Sequence, residues 1–175
     1  CFDRIWANGP LDTLVNNAAG NFLARSETLS PRAFDAVVDI VLKGSAYCTM
    51  AAGRRWIAAG QPGSVLCILT QSALTGAPFR MPSAVAKAGV LSMIRSLAVE
   101  WGPKGIRLVG IAPGSFPTSG ASGQLAPSTL AGAVGEETVA LRRNGRLDEL
   151  ADPAAFLVSP QAGYITGAEL HVNGG

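Results

Sequence analysis

The sequence predicts a doubly wound α/β fold built on a parallel sheet. Strand-like and helix-like segments alternate along the chain, and small or reactive residues follow the strand-like segments. Strands that are joined by helical crossovers form a parallel sheet with helices on both faces. The run SVLCILT at 64–70 is continuously apolar, which is typical of a strand buried on both faces.

Seven regular elements are predicted in chain order. The strands are expected at 11–17, 64–70, 106–112 and 168–175, and the helices at 30–60, 82–101 and 146–160. A Ser-Pro pair starts the first helix and Gly60 ends it. The segment 71–80 is predicted to be a loop, and 115–135, rich in Gly, Ser and Ala, a mobile loop.

Composition indicates one ordered domain over residues 1–175. Hydrophobic residues make up 48% of the chain and charged residues 15%, which excludes intrinsic disorder. A net charge of +2, without basic runs that contain aromatic residues, does not favour a nucleic-acid partner. No apolar run reaches the ~18 residues of a membrane span, and we find no signal peptide, so a cytoplasmic location is expected.

The three cysteines are far apart and include no metal-type pair, so reduced thiols and no metal site are expected. The chain begins with Cys1 inside a helix-like segment, and we therefore expect that a piece is missing upstream.

Candidate functional residues gather where the predicted strands end. Asn16 to Asn21, Thr70 to Ser72 and Pro113 to Thr118 follow three different strands. Ligands bind at the carboxyl ends of the strands in this fold class. Ser83 and Lys87 are four residues apart on the helix 82–101 and share one helical face.

Several motifs resemble the short-chain dehydrogenase/reductase family over essentially the whole chain. They are NNAAG (16–20), SAVAK (83–87), PGSFPT (113–118) and YITGAELHVNGG (164–175). The family's Gly-rich pyrophosphate turn is not in the sequence, so the chain resembles the C-terminal two-thirds of such an enzyme, with the N-terminal strands missing. The motif NNAAGNF and the segments 39–47, 82–90 and 97–107 are most similar to the 2,4-dienoyl-CoA reductase group of this family.

The resemblance implies a Rossmann-like domain that reduces dienoyl-CoA with NADPH, with NADH left open, in the oxidation of unsaturated fatty acids. Ser83 stands where typical members have a tyrosine, and Val41 where they have an asparagine. A serine hydroxyl is too weak an acid to replace the phenol, whose pKa is ~10, so simple alcohol–carbonyl interconversion is disfavoured. Hydride addition to a conjugated thioester instead needs donors for an enolate oxygen.

The resemblance also assigns roles to individual residues. The implied catalytic residues are Lys87, Ser83, Asn21 and Thr70. The implied cofactor-binding residues are Asn16, Ala18, Gly20, Lys87, Pro113, Gly114, Ser115, Phe116 and Thr118. The implied substrate contacts are Phe22, Ser30 and Ser72, although Ser30 also reads as a helix N-cap.

The sequence departs from some relatives at two positions, and two alternative functions remain open. Ser72 and Gln124 replace a tyrosine and a basic residue of some relatives, and Tyr47 and Tyr164 are expected away from the site, so the proton donor is unassigned. The alternatives are a reductase for another carbonyl or enoyl substrate and a non-catalytic piece. Apolar surface on the helices 30–60 and 82–101 predicts a homotetramer or homodimer. The resemblance implies that the substrate is an acyl-CoA.

Overall fold

The computed structural model describes residues 1–21, 23–117 and 139–175, which contain a parallel four-stranded sheet. The strands are β1 (Thr13–Asn16), β2 (Gly63–Ile68), β3 (Ile106–Pro113) and β4 (Glu169–Val172). They lie side by side in chain order and every neighbouring pair is parallel, as predicted. Parallel strands are joined by crossovers, so all four end at the same edge of the sheet.

The described residues also form α-helices whose ends agree with the local start and stop signals. These are α1 (Phe2–Trp6), α2 (Pro31–Val38), α3 (Gly44–Ala59), α4 (Ser72–Thr75), α5 (Met81–Trp101) and α6 (Leu147–Val158). The Ser30 hydroxyl accepts a hydrogen bond from the Ala33 amide at 3.2 Å, which confirms the predicted N-cap. Gly60 ends α3 with φ 61°, a left-handed conformation that glycine adopts easily.

The two faces of the sheet carry helices, as a doubly wound fold requires. The larger core lies under α3 and α5, where Val65, Cys67 and Leu69 of the second strand segment pack with Trp56 and Ile94. The smaller core lies on the opposite face under α6. Its buried members are Leu66, Val109, Ile111 and Leu157. Side chains of β2 and β3 therefore alternate between two apolar layers, which explains their continuous hydrophobic runs.

The predicted helix 30–60 is helical throughout but is not one regular α-helix. A π-helical segment, Asp39–Lys43, joins α2 to α3. In this segment Val41 is completely buried and packs with Val37 and Ala86, and the Ser45 hydroxyl donates to the Val41 carbonyl at 2.6 Å. A π turn leaves some regular helical hydrogen bonds unmade, and the Ser45 hydroxyl bonds to one of the carbonyls involved.

Two predictions about the remaining segments can be compared with the structure. The prediction of a loop over 71–80 is wrong in part, because its first residues form the short helix α4. Among the described strands β1 is at the edge of the sheet, and Val15 is 51% exposed there, as expected for an apolar edge. None of the described helices is both long and apolar enough to cross a membrane.

Candidate active site

The carboxyl ends of the four strands bring the predicted residues to one edge of the sheet. Asn16 ends β1, Ile68 ends β2 and Pro113 ends β3. The register pairs Asn16 with Cys67 and Pro113 with Val172, so the strand ends are close in space. The N-terminal half of α5 packs over this edge and carries Ser83 and Lys87.

Lys87 is the most unusual residue at this edge. It is only 4% exposed, and its ammonium donates a hydrogen bond to the Ile68 carbonyl at the end of β2. No carboxylate pairs with it in the parts of the chain that the structure describes. Burial lowers the pKa of Lys87 below its ordinary value of 10.5, and the Cys67 thiol opposes this shift. Removal of a charge from water favours the neutral amine.

The close approach of α5 to α2 and to the π-helical segment depends on small residues. A Cβ atom at Gly89 would lie 3.0 Å from the Leu42 side chain, which is tighter than ordinary packing allows. Ala86, next to Lys87, is completely buried against Val37 and Val41. This packing fixes the helical turn that carries Lys87.

A buried polar cluster lies beside Lys87, and sequence reasoning missed most of it. The Asn16 amide donates to the Thr49 hydroxyl at 2.8 Å and to the Cys67 sulfur at 3.5 Å. Burial raises the pKa of the Cys67 thiol, although the Asn16 hydrogen bond opposes this. The Asn16 side chain therefore joins β1 to α3 and β2, while its predicted cofactor contact stays a prediction.

Sequence signals for this cluster were present but ambiguous. Cys67 lies opposite Asn16 in the register of β1 and β2, and Thr49 lies on the buried face of α3. Both could be found only once the register was known, because a threonine and a cysteine in apolar runs also suit ordinary core positions.

Hydroxyl groups follow β2 directly. The Thr70 and Ser72 hydroxyl oxygens are 3.2 Å apart, so one donates to the other. Ser72 is the first residue of α4, and Thr70 lies two residues before it. Both hydroxyls therefore lie just beyond β2, whose last residue, Ile68, accepts the hydrogen bond from Lys87. Ser83 lies half-buried in the first turns of α5, one helical turn before Lys87.

Asn21 follows β1 and carries an unsatisfied acceptor. Its Oδ1 atom is buried, and no described group donates to it. A buried polar atom without a partner costs free energy, so this atom marks a place where a bound group would gain a hydrogen bond. Ala18 is exposed and Gly20 half-buried, which leaves the chain between Asn16 and Asn21 open to a ligand.

The segment after β3 turns sharply against the last strand. The Gly114 amide donates to the Val172 carbonyl at 2.9 Å, and a side chain at Gly114 would collide with Asn173. Ser115 and Phe116 then line a cavity of about 140 Å³ together with Arg143 and Glu149. Thr118 and Phe22, predicted to contact cofactor and substrate, and also Gln124, lie outside the described residues.

The other residues considered in the sequence lie outside the buried cluster around Lys87 or have structural contacts. Ser30 caps α2, and its substrate contact stays a prediction. Tyr47 is 62% exposed and Tyr164 fully exposed, so neither belongs to the buried cluster around Lys87. His171 lies on β4, where its Nε2 atom is 3.9 Å from a Glu169 oxygen.

Known proteins resemble the chain along almost its whole length. A family model described as enoyl-(acyl carrier protein) reductase matches residues 2–175. An uncharacterized oxidoreductase of Caenorhabditis elegans is 46% identical over 94% of this chain and 53% of its own. A Bacillus subtilis protein named as a probable 2,4-dienoyl-CoA reductase is 44% identical over 99% of this chain and 68% of its own.

Solved structures agree with these sequence matches. The crystal structure of a short-chain dehydrogenase from Bacillus anthracis is 38% identical, with a TM-score of 0.88 over 99% of this chain and 68% of that one. The chain spans 53% of the length of the first curated relative and 68% of the second. The parallel sheet, the Ser83–Lys87 pair on α5 and these matches lead to one conclusion. The chain belongs to the short-chain dehydrogenase/reductase family.

Proposed function

We propose that the whole protein that carries this chain reduces 2,4-dienoyl-CoA with NADPH, as part of unsaturated fatty acid oxidation. The observation that carries this proposal is a buried lysine with serine, not tyrosine, one helical turn before it. The similarity to the Bacillus subtilis protein supports the substrate class. A cytoplasmic location and a homo-oligomer packed through α3 and α5 belong to the same proposal.

The chemistry of the site favours conjugate reduction over carbonyl reduction. A ketone becomes an alcohol only when its oxygen receives a proton, and Ser83 is too weak an acid to give one at that moment. Hydride addition to the far end of a dienoyl thioester places negative charge on the thioester oxygen instead. That charge needs hydrogen-bond donors, each worth roughly 3–4 kcal/mol in comparable oxyanion sites. Ser83, Asn21 and Thr70 are the proposed donors.

The residues at the carboxyl edge fit a nicotinamide nucleotide. Ala18 is exposed at this edge, and Gly114 packs closely against Asn173. The buried Asn21 Oδ1 atom has no donor among the described residues and is an unused acceptor nearby. Lys87 and the segment Pro113–Phe116 would hold the nicotinamide half, and Asn16 to Gly20 the part near β1. When bound, the cofactor supplies the hydride. While it is protonated, Lys87 contributes a positive charge that orients negative or polar groups beside it.

A second candidate follows from the description of the matched family model. Enoyl-(acyl carrier protein) reductases act on an enoyl thioester, which also needs donors for an enolate oxygen. The polar side chains at the carboxyl edge of the sheet could donate hydrogen bonds to the enolate oxygen of either a dienoyl or an enoyl thioester. The likeness to a protein named for dienoyl-CoA favours the dienoyl substrate.

The nicotinamide absorbance band separates these functions in the whole protein. Consumption of NADPH that depends on dienoyl-CoA supports the proposal, and a preference for NADPH over NADH supports its cofactor. Consumption with enoyl thioesters alone would favour the second candidate. Turnover of simple ketones alone would contradict the argument from Ser83. Binding of the cofactor without turnover of any of these substrates would indicate a non-catalytic role.

A further inference from the structure

The proposed reaction needs a proton donor that the oxyanion groups cannot supply. Conjugate addition leaves a dienolate, and one of its carbons must be protonated before product leaves. Asn21, Ser83, Thr70 and Ser72 offer an amide and three hydroxyls, which hold an oxygen anion but release their protons reluctantly. The described tyrosines lie on exposed surfaces away from the site.

Lys87 is a buried side chain at this edge of the sheet that can change its charge. Its ammonium carries three protons, and the Ile68 carbonyl accepts one of them. That acceptor is neutral, so it satisfies a hydrogen bond without fixing the positive charge as a carboxylate would. Among the described residues no other group accepts a hydrogen bond from Lys87, so two of its N–H bonds can bind a ligand at this edge of the sheet.

The surroundings of Lys87 favour release of a proton. The polar groups that face this buried region are the Asn16 amide from β1, the Thr49 hydroxyl from α3 and the Cys67 thiol from β2. The first two do not titrate. Burial raises the pKa of Cys67, so the thiol stays neutral near pH 7 and gives the lysine no anionic partner. Buried lysines without a counter-ion serve as acids and bases for this reason.

We propose that the Lys87 ammonium is the general acid that protonates the dienolate, an inference that rests on the proposed reductase function. One N–H bond of Lys87 breaks and one C–H bond forms at the enolate carbon, while the electron pair of the enolate oxygen restores the thioester carbonyl. Lys87 is left as a neutral amine, and solvent returns its proton after the product departs. The depressed pKa of Lys87 supports this step, because the best acids have pKa values near the working pH.

The variant Lys87→Arg separates proton donation from positive charge. A guanidinium keeps the charge but does not lose its proton in proteins. In stopped-flow experiments on the whole protein, we expect the first turnover of NADPH oxidation to persist. Steady-state reduction of dienoyl-CoA should fall by about 10²–10⁴-fold, the usual contribution of a general acid. Lys104→Arg, an exchange on the exposed turn after α5, is the matched control and should keep the wild-type rate.

The pH profile provides a readout that a structural role of Lys87 would not produce. Wild-type turnover should decline as pH rises through the pKa of Lys87, because the acid is then deprotonated. The residual turnover of Lys87→Arg should not decline with rising pH in this way. A wild-type rate and an unchanged profile in Lys87→Arg would overturn the inference while leaving the reductase function intact.

A second measurement does not depend on a folded variant or on activity. This chain contains three lysines, and assigned ¹³C-lysine NMR can follow each of their side chains in the wild-type whole protein. Lys43 is an internal reference, because its hydrogen bond with Asp39 raises its pKa. We expect Lys87 to titrate well before Lys43. Titration of Lys87 together with or after Lys43 would overturn the inference, and a wild-type protein that never reduces dienoyl-CoA would overturn the function as well.

Discussion

Two cationic side chains of this protein show how much surroundings decide the role of a charge. Lys87 is 4% exposed and hydrogen-bonds to a neutral carbonyl. The Arg143 side chain is 44% exposed and makes two hydrogen bonds with the Glu149 carboxylate, at 2.6 and 2.7 Å.

The pKa shifts of the two sites have opposite directions. Burial lowers the pKa of Lys87, whereas the hydrogen bond with Glu149 raises the pKa of Arg143. A paired surface charge is held in its charged form and joins the loop before α6 to that helix. The buried charge of Lys87, which has no carboxylate partner among the described residues, loses its proton more easily than an exposed lysine. The difference explains why the first site suits chemistry and the second suits structure.

Replacing Lys87 should have the largest effect on activity. Lys87→Ala removes both the proposed acid and the charge beside the proposed nicotinamide site, and we expect reduction of dienoyl-CoA to fall by about 10²–10⁴-fold. Steady-state absorbance in the nicotinamide band measures this. Lys104→Ala, on the exposed turn after the same helix, should keep the wild-type rate. An unchanged rate in Lys87→Ala would remove this lysine from the mechanism.

Asn21→Ala should reduce turnover by about 10²–10³-fold, the usual cost of removing one oxyanion donor. The loss should appear in kcat, because the hydrogen bond strengthens as charge develops on the thioester oxygen. Asn8→Ala is a suitable control, since the Asn8 amide bonds only to the nearby Arg4 carbonyl among its described contacts. Equal kcat values for Asn21→Ala and Asn8→Ala would contradict the donor role.

Lys87→Met should stabilise the fold at neutral pH by about 1 kcal/mol, because an apolar chain of similar length replaces a buried charge that has no counter-ion among the described residues. Between the lowered native pKa and the ordinary value of 10.5, the unfolded chain binds more protons than the native one. Wild-type stability therefore rises with pH in that window, and the advantage of methionine shrinks. Urea denaturation at several pH values measures both effects.

The matched control for this prediction is Lys43→Met, which breaks the exposed Lys43–Asp39 pair at 2.7 Å. It should give no gain in the free energy of unfolding. An equal gain at both lysines, or a gain at Lys87 that does not change with pH, would argue against an unpaired buried charge.

Glu149→Gln should have the smallest effect, since surface ion pairs contribute little. The hydrogen bond from Arg143, followed by the Arg146 backbone amide, lowers the pKa of Glu149 from 4.5 to about 2. The pair is therefore fully formed above pH 4.5 and is lost as pH falls toward 2. At neutral pH we expect Tm to fall by about 1–2 °C, and the difference should vanish in acid. A difference that persists at low pH would mean that the glutamine disturbs packing instead.

The sequence was sufficient for the sheet and for the placement of most candidate site residues, for identifiable reasons. Continuous apolar runs mark buried parallel strands, and strand ends coincide in such a sheet, so Asn16, Thr70 and Pro113 could be placed at one edge. The spacing of Ser83 and Lys87 placed both on one helical face. The N-cap at Ser30 follows from a Ser-Pro pair alone.

Other features depend on contacts that a linear pattern does not contain. The side chain of Asn16 turns into the core toward Thr49 and Cys67, and this depends on the register between β1 and β2. The π-helical turn around Val41 is set by packing against α5, and its sequence suits an α-helix equally well. Helix α4 is too short for a periodic signal.

Reduction of a dienoyl-CoA by NADPH in D₂O tests the central claim most directly. If hydride adds to the conjugated chain and the enolate is then protonated, the product carries one carbon-bound deuterium from the solvent, at the carbon of the dienolate that received the proton. Mass spectrometry and NMR of the product locate that label. We predict loss of the conjugated diene and a single solvent-derived C–D bond. An alcohol product with no carbon-bound deuterium would contradict the claim, because it would show that the carbonyl itself was reduced.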